Sequence, residues 1–372
     1  MPENCPMTAK RKSKVAIAMS GGVDSSVAAA LLVEQGYDVI GVTMQVWPAA
    51  QGIEVDFNRT CSSQSAVEDA RKVAKQLDIP HYIVNFKDLF EKTIIEYFVS
   101  EYKRGRTPNP CVKCNRFIKF EALLEKAHEL GAEYIATGHY ARIVYDIDKQ
   151  RWLMKRGHDR SKDQSYVLYA LTQYQLAHTL MPLADMSKDE TRRLALNLGL
   201  SVASKPDSQE ICFIQDNDYA AFLKQMLPEV VSPGPMLDTS GNVVGQHEGI
   251  AFYTIGQRKR IQVRQPGPWY VVQIDPDRNV IVIGRNEDLY ARELTATDIN
   301  LIALNGLSSE ITVTAKIRYN MQDVPALLVP LAGHKAVIRF LAAQRAITPG
   351  QAVVFYDDEN VVGGGTIESV TR

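Results

Sequence analysis

The chain lacks any apolar run near the roughly 20 residues that a bilayer-spanning helix requires, so a membrane-embedded function is not expected. Its opening segment, Met1–Lys14, is polar and basic without an apolar stretch, and reads as something other than a secretory signal. A large charge of either sign is also missing: the net value over 372 residues is −1, so nothing global announces a nucleic-acid binder. Internal repeats and low-complexity tracts are absent too. Cysteine is scarce and odd in number: Cys5, Cys61, Cys111, Cys114 and Cys212. That count, without a secretory signal, argues for a reducing, cytoplasmic setting, where thiols serve chemistry or metal more often than structural disulfides. A zinc site would need a second pair at ligand spacing to complement Cys111 and Cys114, and there is none.

What is present is local. Ser20-Gly21-Gly22-Val23-Asp24-Ser25-Ser26 follows the apolar run Val15–Met19 and precedes Val27–Leu32. The pattern is strand, glycine turn, helix. Glycines let the backbone approach a ligand, and the first N–H groups of the helix point at it with the positive end of the dipole. The Gly-Lys-Ser/Thr ending of a Walker A loop is missing. Three basic islands stand in the otherwise balanced chain. They are Lys103–Lys119, with six basic residues and no acidic one; Arg151–Lys162; and Arg258, Lys259, Arg260 with Arg264. Such islands point to a polyanionic partner.

The first half alternates between candidate strands (Lys14–Met19, Val39–Val46, His81–Phe86, Glu133–Thr137) and amphipathic helices (Ser65–Leu77, Phe117–Leu130). This predicts an α/β domain with a parallel sheet and its ligand at the carboxyl ends of the strands. Residues 164–199 read as helical, with a capping box at Ser187 and Glu190. Past Ser232-Pro233-Gly234-Pro235 the pattern becomes short strands and turns, including a hairpin from Trp269–Ile274 and Val280–Ile283. The expected division is 1–213 nucleotide-binding and catalytic, 214–288 small and mostly β, and 289–372 a β-barrel.

Thr107-Pro108-Asn109-Pro110-Cys111-Val112-Lys113-Cys114-Asn115 is the second informative segment. Two prolines stiffen a loop carrying two cysteines in a basic setting, which favours thiolate. Taken alone, Cys-x-x-Cys fits half a zinc site, a redox pair or chance. Cys212, in Ile211-Cys212-Phe213-Ile214, reads by itself as a small buried hydrophobe.

The glycine turn resembles the PP-loop of the ATP pyrophosphatases, which cleave ATP between the α and β phosphates. The wider set of motifs resembles the tRNA-specific 2-thiouridylases of the MnmA type. That set is Ser20–Ser26, Gly105–Pro110, Cys114-Asn115, Thr137–Arg142, Lys162–Tyr166, Ile211–Ile214 and Tyr253–Arg258, in this order. The resemblance implies a reaction: ATP-dependent thiolation of the wobble uridine through an adenylated uridine and a cysteine persulfide. Ala18, Met19, Ser20, Gly21, Gly22, Val23, Asp24 and Ser25 would hold ATP, with Met44 at the adenine and Gly138 beside the nucleotide. Cys212 would carry the persulfide, and Cys114 would attack it and end in a disulfide with it. Asn109, Pro110 and Cys111 would line the base pocket. His139, Lys162, Asp163, Gln164, Arg318, Tyr319 and Gln351 would contact tRNA. Magnesium would accompany ATP, and a cysteine desulfurase or relay protein would supply sulfur.

One departure from the family pattern stands out. Many members carry aspartate where this chain has Cys111, and a thiol with a reference pKa near ~8.5 is no like-for-like acid–base group. Either Cys111 takes the proton role as thiolate, or Cys111, Cys114 and Cys212 hold an iron–sulfur cluster; the persulfide route is favoured. Three rivals remain. One is a PP-loop synthetase acting on a small metabolite, and another a non-catalytic RNA-binding protein. A nearer one thiolates a different uridine, but such enzymes usually carry RNA-binding domains of another type than this C-terminal β-barrel.

Overall fold

The computed structural model describes residues 12–46, 64–206, 211–214, 218–261, 263 and 266–371. Cys5, Cys61, Ser208–Glu210 and Arg264 lie outside the described residues. The first sheet is parallel and five-stranded. Its strands β1 (Lys14–Ala18), β2 (Asp38–Gln45), β3 (His81–Asn85) and β4 (Tyr134–Ala136) lie in the order β3-β2-β1-β4, and Thr179–Leu180 forms the last strand beyond β4. Val15, Ala16 and Ile17 are wholly buried because helices cover both faces of the sheet. The chain leaves β1 toward β2 on one side and reaches β4 on the other. The crevice between β1 and β4 is therefore the topological switch point, where ligands of open α/β sheets bind.

Helix α1 (Val23–Glu34) follows β1 directly. Its Ala-rich middle is buried, so apolar residues run around most of its circumference rather than along one stripe. The predicted helix over 117–130 begins earlier and wider. Cys114–Ala122 turns with i→i+5 bonding before an α-helical Leu123–Glu129. Buried Asn115 in that wide turn donates to the Val167 carbonyl (3.0 Å), tying it to the helix Ser165–Leu168. The helical stretch expected over 164–199 is broken. Thr179–Leu180 extends to join the sheet edge, where it satisfies backbone groups that a continuous helix would not present to β4. The Ser187–Glu190 capping box forms as expected and starts Lys188–Asn197.

The central part has a four-stranded sheet that includes the predicted hairpin, here Tyr270–Asp275 with Val280–Gly284. A six-stranded barrel follows, closed by Tyr290–Leu301 pairing with Asn360–Thr371. One hairpin from the first half, Ala141–Asp146 with Arg151–Arg156, extends the barrel sheet through Asn360–Thr371. It fuses the first and last parts of the chain into one structure.

That hairpin also engages part of the second basic island. Arg156 pairs with Asp323 (2.8 Å) and lies 3.7 Å from the Tyr356 ring centre, Arg160 pairs with Glu359, and Arg151 donates to the Leu301 carbonyl (3.1 Å). Arg151 and Arg156 thus hold the hairpin to the barrel, so this island is partly engaged within the chain. The Lys103–Lys119 island is also partly neutralised internally. Lys103 meets Glu229, Arg104 and Arg106 meet Glu101, Arg106 also meets Glu368, and Lys113 meets Asp298.

Candidate active site

Two loops build the site. The first is 20–22 at the carboxyl end of β1. Gly21 sits at φ +70°, and a Cβ there would lie 2.2 Å from the Ala66 carbonyl oxygen. The backbone can pass only if residue 21 is glycine. No side chain caps α1 at Gly22, so its first N–H groups face outward for an anion. Ser25 Oγ is within hydrogen-bond reach of the Ser20 N–H (3.2 Å) and Ser20 Oγ (3.3 Å), and Ser26 Oγ donates to the Gly22 carbonyl (2.8 Å). Gly138, after β4, packs on the start of α1: a Cβ there would stand 2.7 Å from Ser25 N. Ala18 and Met19 are buried beneath the loop, and half-buried Met44 ends β2 nearby in the sheet. The residues present therefore fit a bound nucleotide triphosphate.

Asp24 adds a feature that sequence reasoning missed. A carboxylate in the first turn would oppose phosphate, yet Lys188 Nζ holds its two oxygens at 2.7 and 2.8 Å. The Tyr140 hydroxyl donates to the same carboxylate at 2.8 Å. Lys188 is 7% exposed and Tyr140 3%. A lysine inside a capped helix start reads as a solvated residue, so only the fold reveals this partner.

The second loop carries the cysteines. Asn109 caps the short helix Pro110–Lys113, accepting from Val112 N–H at 3.4 Å, with Pro110 at its first position. Cys111 is exposed, and Cys114 is half-buried. Burial lowers the Lys113 pKa, and the carboxylate of Asp298 works against that. The loop is fastened from outside. Thr107 N–H donates to the Pro349 carbonyl (2.9 Å), Gln351 donates to the carbonyls of Thr107 and Pro108 (3.0 Å each), and Thr107 Oγ1 donates to Thr254 Oγ1 (3.2 Å). The motif 253–258 of the central part thus meets the barrel at this loop.

Cys212 sits on the turn 211–214, whose Ile214 N–H donates to the Ile211 carbonyl. Phe213 anchors the turn among Phe90, Phe98 and Phe222, with ring centres 5.1–5.9 Å away. Its neighbour Cys212 is left half-buried rather than fully enclosed, unlike the small-hydrophobe reading. Cys114 and Cys212 pack against the same apolar cluster. Among the described residues no three His, Cys, Asp or Glu side chains converge as a metal-holding set.

The residues expected at tRNA divide into two kinds. Asp163 is 7% exposed, and its oxygens accept from Gly157 N–H, Ser165 N–H and Ser165 Oγ at 2.9–3.1 Å, which makes it the brace of its own loop. Gln164 accepts from Tyr140 N–H and donates its own N–H to the Tyr140 carbonyl, both at 2.9 Å. Lys162 is half-buried and Tyr319 is exposed. Arg318 donates to the Ala346 carbonyl. Partial burial raises the Tyr319 pKa to about 12, helped by the charges of Asp163 and Cys111. Burial, and then the charge of Lys119, hold the His139 pKa well below 6.5, and its Nδ1 lies 2.8 Å from Thr137 Oγ1. A cavity of about 370 Å³ lies elsewhere, among Asp218, Lys224, Glu248, Tyr253 and Arg260 in the central part.

Fold and site together define a PP-loop nucleotide-binding α/β protein with an appended barrel that presses on a cysteine loop. Three family patterns match in series. They are the tRNA methyl transferase HUP domain over 13–216, the tRNA methyl transferase PRC-barrel domain over 220–285, and the aminomethyltransferase beta-barrel domain over 291–367. The chain is 55% identical over 360 residues to tRNA-specific 2-thiouridylase MnmA 1 of Caldanaerobacter subterraneus subsp. tengcongensis, covering 97% of this chain and 99% of that one. It is 54% identical over 357 residues to the MnmA of Moorella thermoacetica, covering 96% and 99%. A weaker likeness runs to a solved 4-thiouridine synthetase–RNA complex with bound ATP, with TM-score 0.36, 21% identity, and 58% and 51% of the two chains covered. The chain belongs to the tRNA-specific 2-thiouridylase (MnmA) family.

Proposed function

We propose that this protein is an ATP-dependent tRNA sulfurtransferase that places sulfur at C2 of the wobble uridine. The observation that supports the reading is that Cys114 and Cys212, distant in sequence, both pack against one apolar cluster. The family patterns speak of methyl transfer and the relatives' names of thiolation. Two half-buried thiols side with thiolation, and they also disfavour a small-metabolite synthetase or a non-catalytic RNA binder.

The chemistry runs as follows. The C2 oxygen of a flipped-out uridine attacks the α-phosphorus of ATP, and pyrophosphate leaves. The N–H groups of α1 offset phosphate charge during this step. The terminal sulfur of a Cys212 persulfide then attacks C2, and AMP departs with the former carbonyl oxygen. The Cys114 thiolate attacks the Cys212 sulfur and breaks the S–S bond. The electron pair goes to the sulfur on C2, which becomes the thiocarbonyl, and a Cys114–Cys212 disulfide remains for an external thiol to reduce. A sulfur donor such as a cysteine desulfurase or relay protein reloads Cys212. Magnesium rides with the triphosphate.

Residues 1–213 supply nucleotide and thiols in this reading, 214–288 brace the loop, and 289–372 present the barrel to the anticodon stem-loop. Lys162, Arg318, Tyr319 and His139 face the RNA, Asn109 to Cys111 face the base, and Cys111 takes the proton role that aspartate fills in other members.

Unmodified glutamate, lysine and glutamine tRNA transcripts, incubated with the protein, ATP, magnesium and sulfide, test this by nucleoside mass spectrometry. ATP-dependent 2-thiouridine supports the reading. Pyrophosphate release with no sulfur in the RNA, even with a cysteine desulfurase added, overturns it.

A further inference from the structure

The loop 157–165 is joined to the nucleotide site by two separate hydrogen-bonded routes. In the first, Gln164 brackets the Tyr140 backbone with two bonds of 2.9 Å, and the Tyr140 hydroxyl donates to Asp24 at 2.8 Å. In the second, Asp159 accepts from the Lys188 N–H at 3.1 Å, and Lys188 Nζ holds Asp24 at 2.7 and 2.8 Å. The loop itself is tight. Asp159 accepts from Ser161 N–H (3.0 Å) and Ser161 Oγ (2.6 Å), Lys162 N–H donates to the Asp159 carbonyl (3.0 Å), and Asp163 spans Gly157 and Ser165. Gly157 packs so closely that a Cβ would stand 2.8 Å from the Tyr140 carbonyl oxygen. Whatever orders Asp159 and Gln164 therefore also orders the two groups that hold Asp24.

The charge at Asp24 gives this connection a consequence. It lies in the first turn of α1, where the triphosphate would sit. Clamped, its charge is offset by the Lys188 ammonium. Released, it opposes an incoming polyanion across a short distance. In the clamped arrangement less charge opposes ATP, and an RNA phosphate on the outer side of the loop would favour the ordered loop that produces it.

We propose that Tyr140, Lys188 and Asp159 are positioning residues that couple RNA held by the loop 157–165 to ATP held by α1, so that each ligand tightens the other. This deepens the proposed function and rests on it. Linkage makes the effect reciprocal, and couplings of this kind amount to about 5- to 150-fold. We expect about tenfold, because the link runs through two short routes to a single carboxylate.

The test uses the full chain, a non-hydrolysable ATP analogue and a synthetic anticodon stem-loop RNA. The analogue Kd is measured with and without RNA, and the RNA Kd with and without analogue. In wild type both ratios should equal about ten. Tyr140→Phe, which removes only the hydroxyl, should cut the ratio to below about three. Asp159→Asn, which lies outside the nucleotide site, should do the same while thermal unfolding shows that it folds. A purely structural role would weaken affinity without changing the ratio. Unchanged ratios in both variants, or a wild-type ratio of one, overturn the inference. A wild type that binds neither ligand overturns the proposed function and this inference with it; absolute affinity judges the first and the ratio the second. If Tyr140→Phe fails to fold, Asp159→Asn decides.

Discussion

Gln351 Nε2 donates to the carbonyl oxygen of Thr107 at 3.0 Å, so a residue at the end of the barrel holds the loop that presents Cys111 and Cys114. The same amide donates to the Pro108 carbonyl at 3.0 Å, and Gly350 beside it approaches Thr107 so closely that a Cβ would stand 2.8 Å from its oxygen. The barrel therefore touches the cysteine loop through contact with its backbone.

Gln351→Ala separates clamping from RNA contact. Losing two hydrogen bonds and leaving two carbonyls underused costs about 1–3 kcal/mol. If Gln351 acts as a clamp, its loss should lower the kcat of thiolation about tenfold with tRNA KM little changed. A raised KM with normal kcat would instead assign it to RNA contact. Steady-state kinetics with varied tRNA distinguishes the two.

The two cysteines should fail differently. Cys212→Ser should abolish 2-thiouridine formation yet leave ATP and tRNA affinity within about twofold, because the change is small and half-exposed. Cys114→Ser should stall after attack on C2 and accumulate RNA disulfide-linked to Cys212. Denaturing gels should show that adduct, and dithiothreitol should release thiolated RNA. Full turnover by either variant would remove its assigned role.

Gly21→Ala and Gly131→Ala compare two glycines at φ +70° and +75°. The first meets the Ala66 backbone, and the second meets nothing within 4 Å. Both should lose about 1–2 kcal/mol of stability from the left-handed conformation. Only Gly21→Ala should also weaken ATP binding, by about tenfold or more, as the loop shifts. Equal ATP affinities by calorimetry would remove the close-approach argument.

Acid should weaken the fold before the carboxylates titrate. Burial lowers the pKa of His81, His139 and His247 from the ordinary 6.5. Below about 6.5 the unfolded chain binds protons that the folded chain refuses, so stability is full above that value and falls as pH drops. The urea midpoint should decrease between pH 7 and about 5.5, and His139→Gln should shrink the decrease. A flat midpoint over that window would contradict the buried, neutral state of these imidazoles. Asp69, Asp159 and Asp323, held below 3.8, lose their contribution only at lower pH.

Much of the nucleotide half was legible because its signals are local. The run Val15–Met19, the Gly21-Gly22 turn and the start of α1 lie side by side in sequence, and each reports its own backbone need. The Ser187–Glu190 capping box is legible for the same reason, since its partners are one turn apart. The π-like widening at Cys114–Ala122 was not, because α and wider turns share almost the same apolar spacing and a tertiary bond from Asn115 marks the difference. The basic run from Arg151 to Lys162 looked like a surface for polyanions. The internal partners of its arginines, Asp323, Glu359 and Tyr356, come from far along the chain.

The sequence by itself determined the α/β order, the phosphate-holding turn, the thiols and the β-rich remainder, since these depend on neighbours within a few residues. The tertiary structure alone decided that Lys188 and Tyr140 close on Asp24, and that Gln351 and Thr254 grip the cysteine loop. It also turned the hairpin 141–156 into an extension of the barrel sheet. Each of these joins residues separated by a hundred positions or more, or by a change of domain. Packing brings such groups together, and burial then makes their hydrogen bonds obligatory.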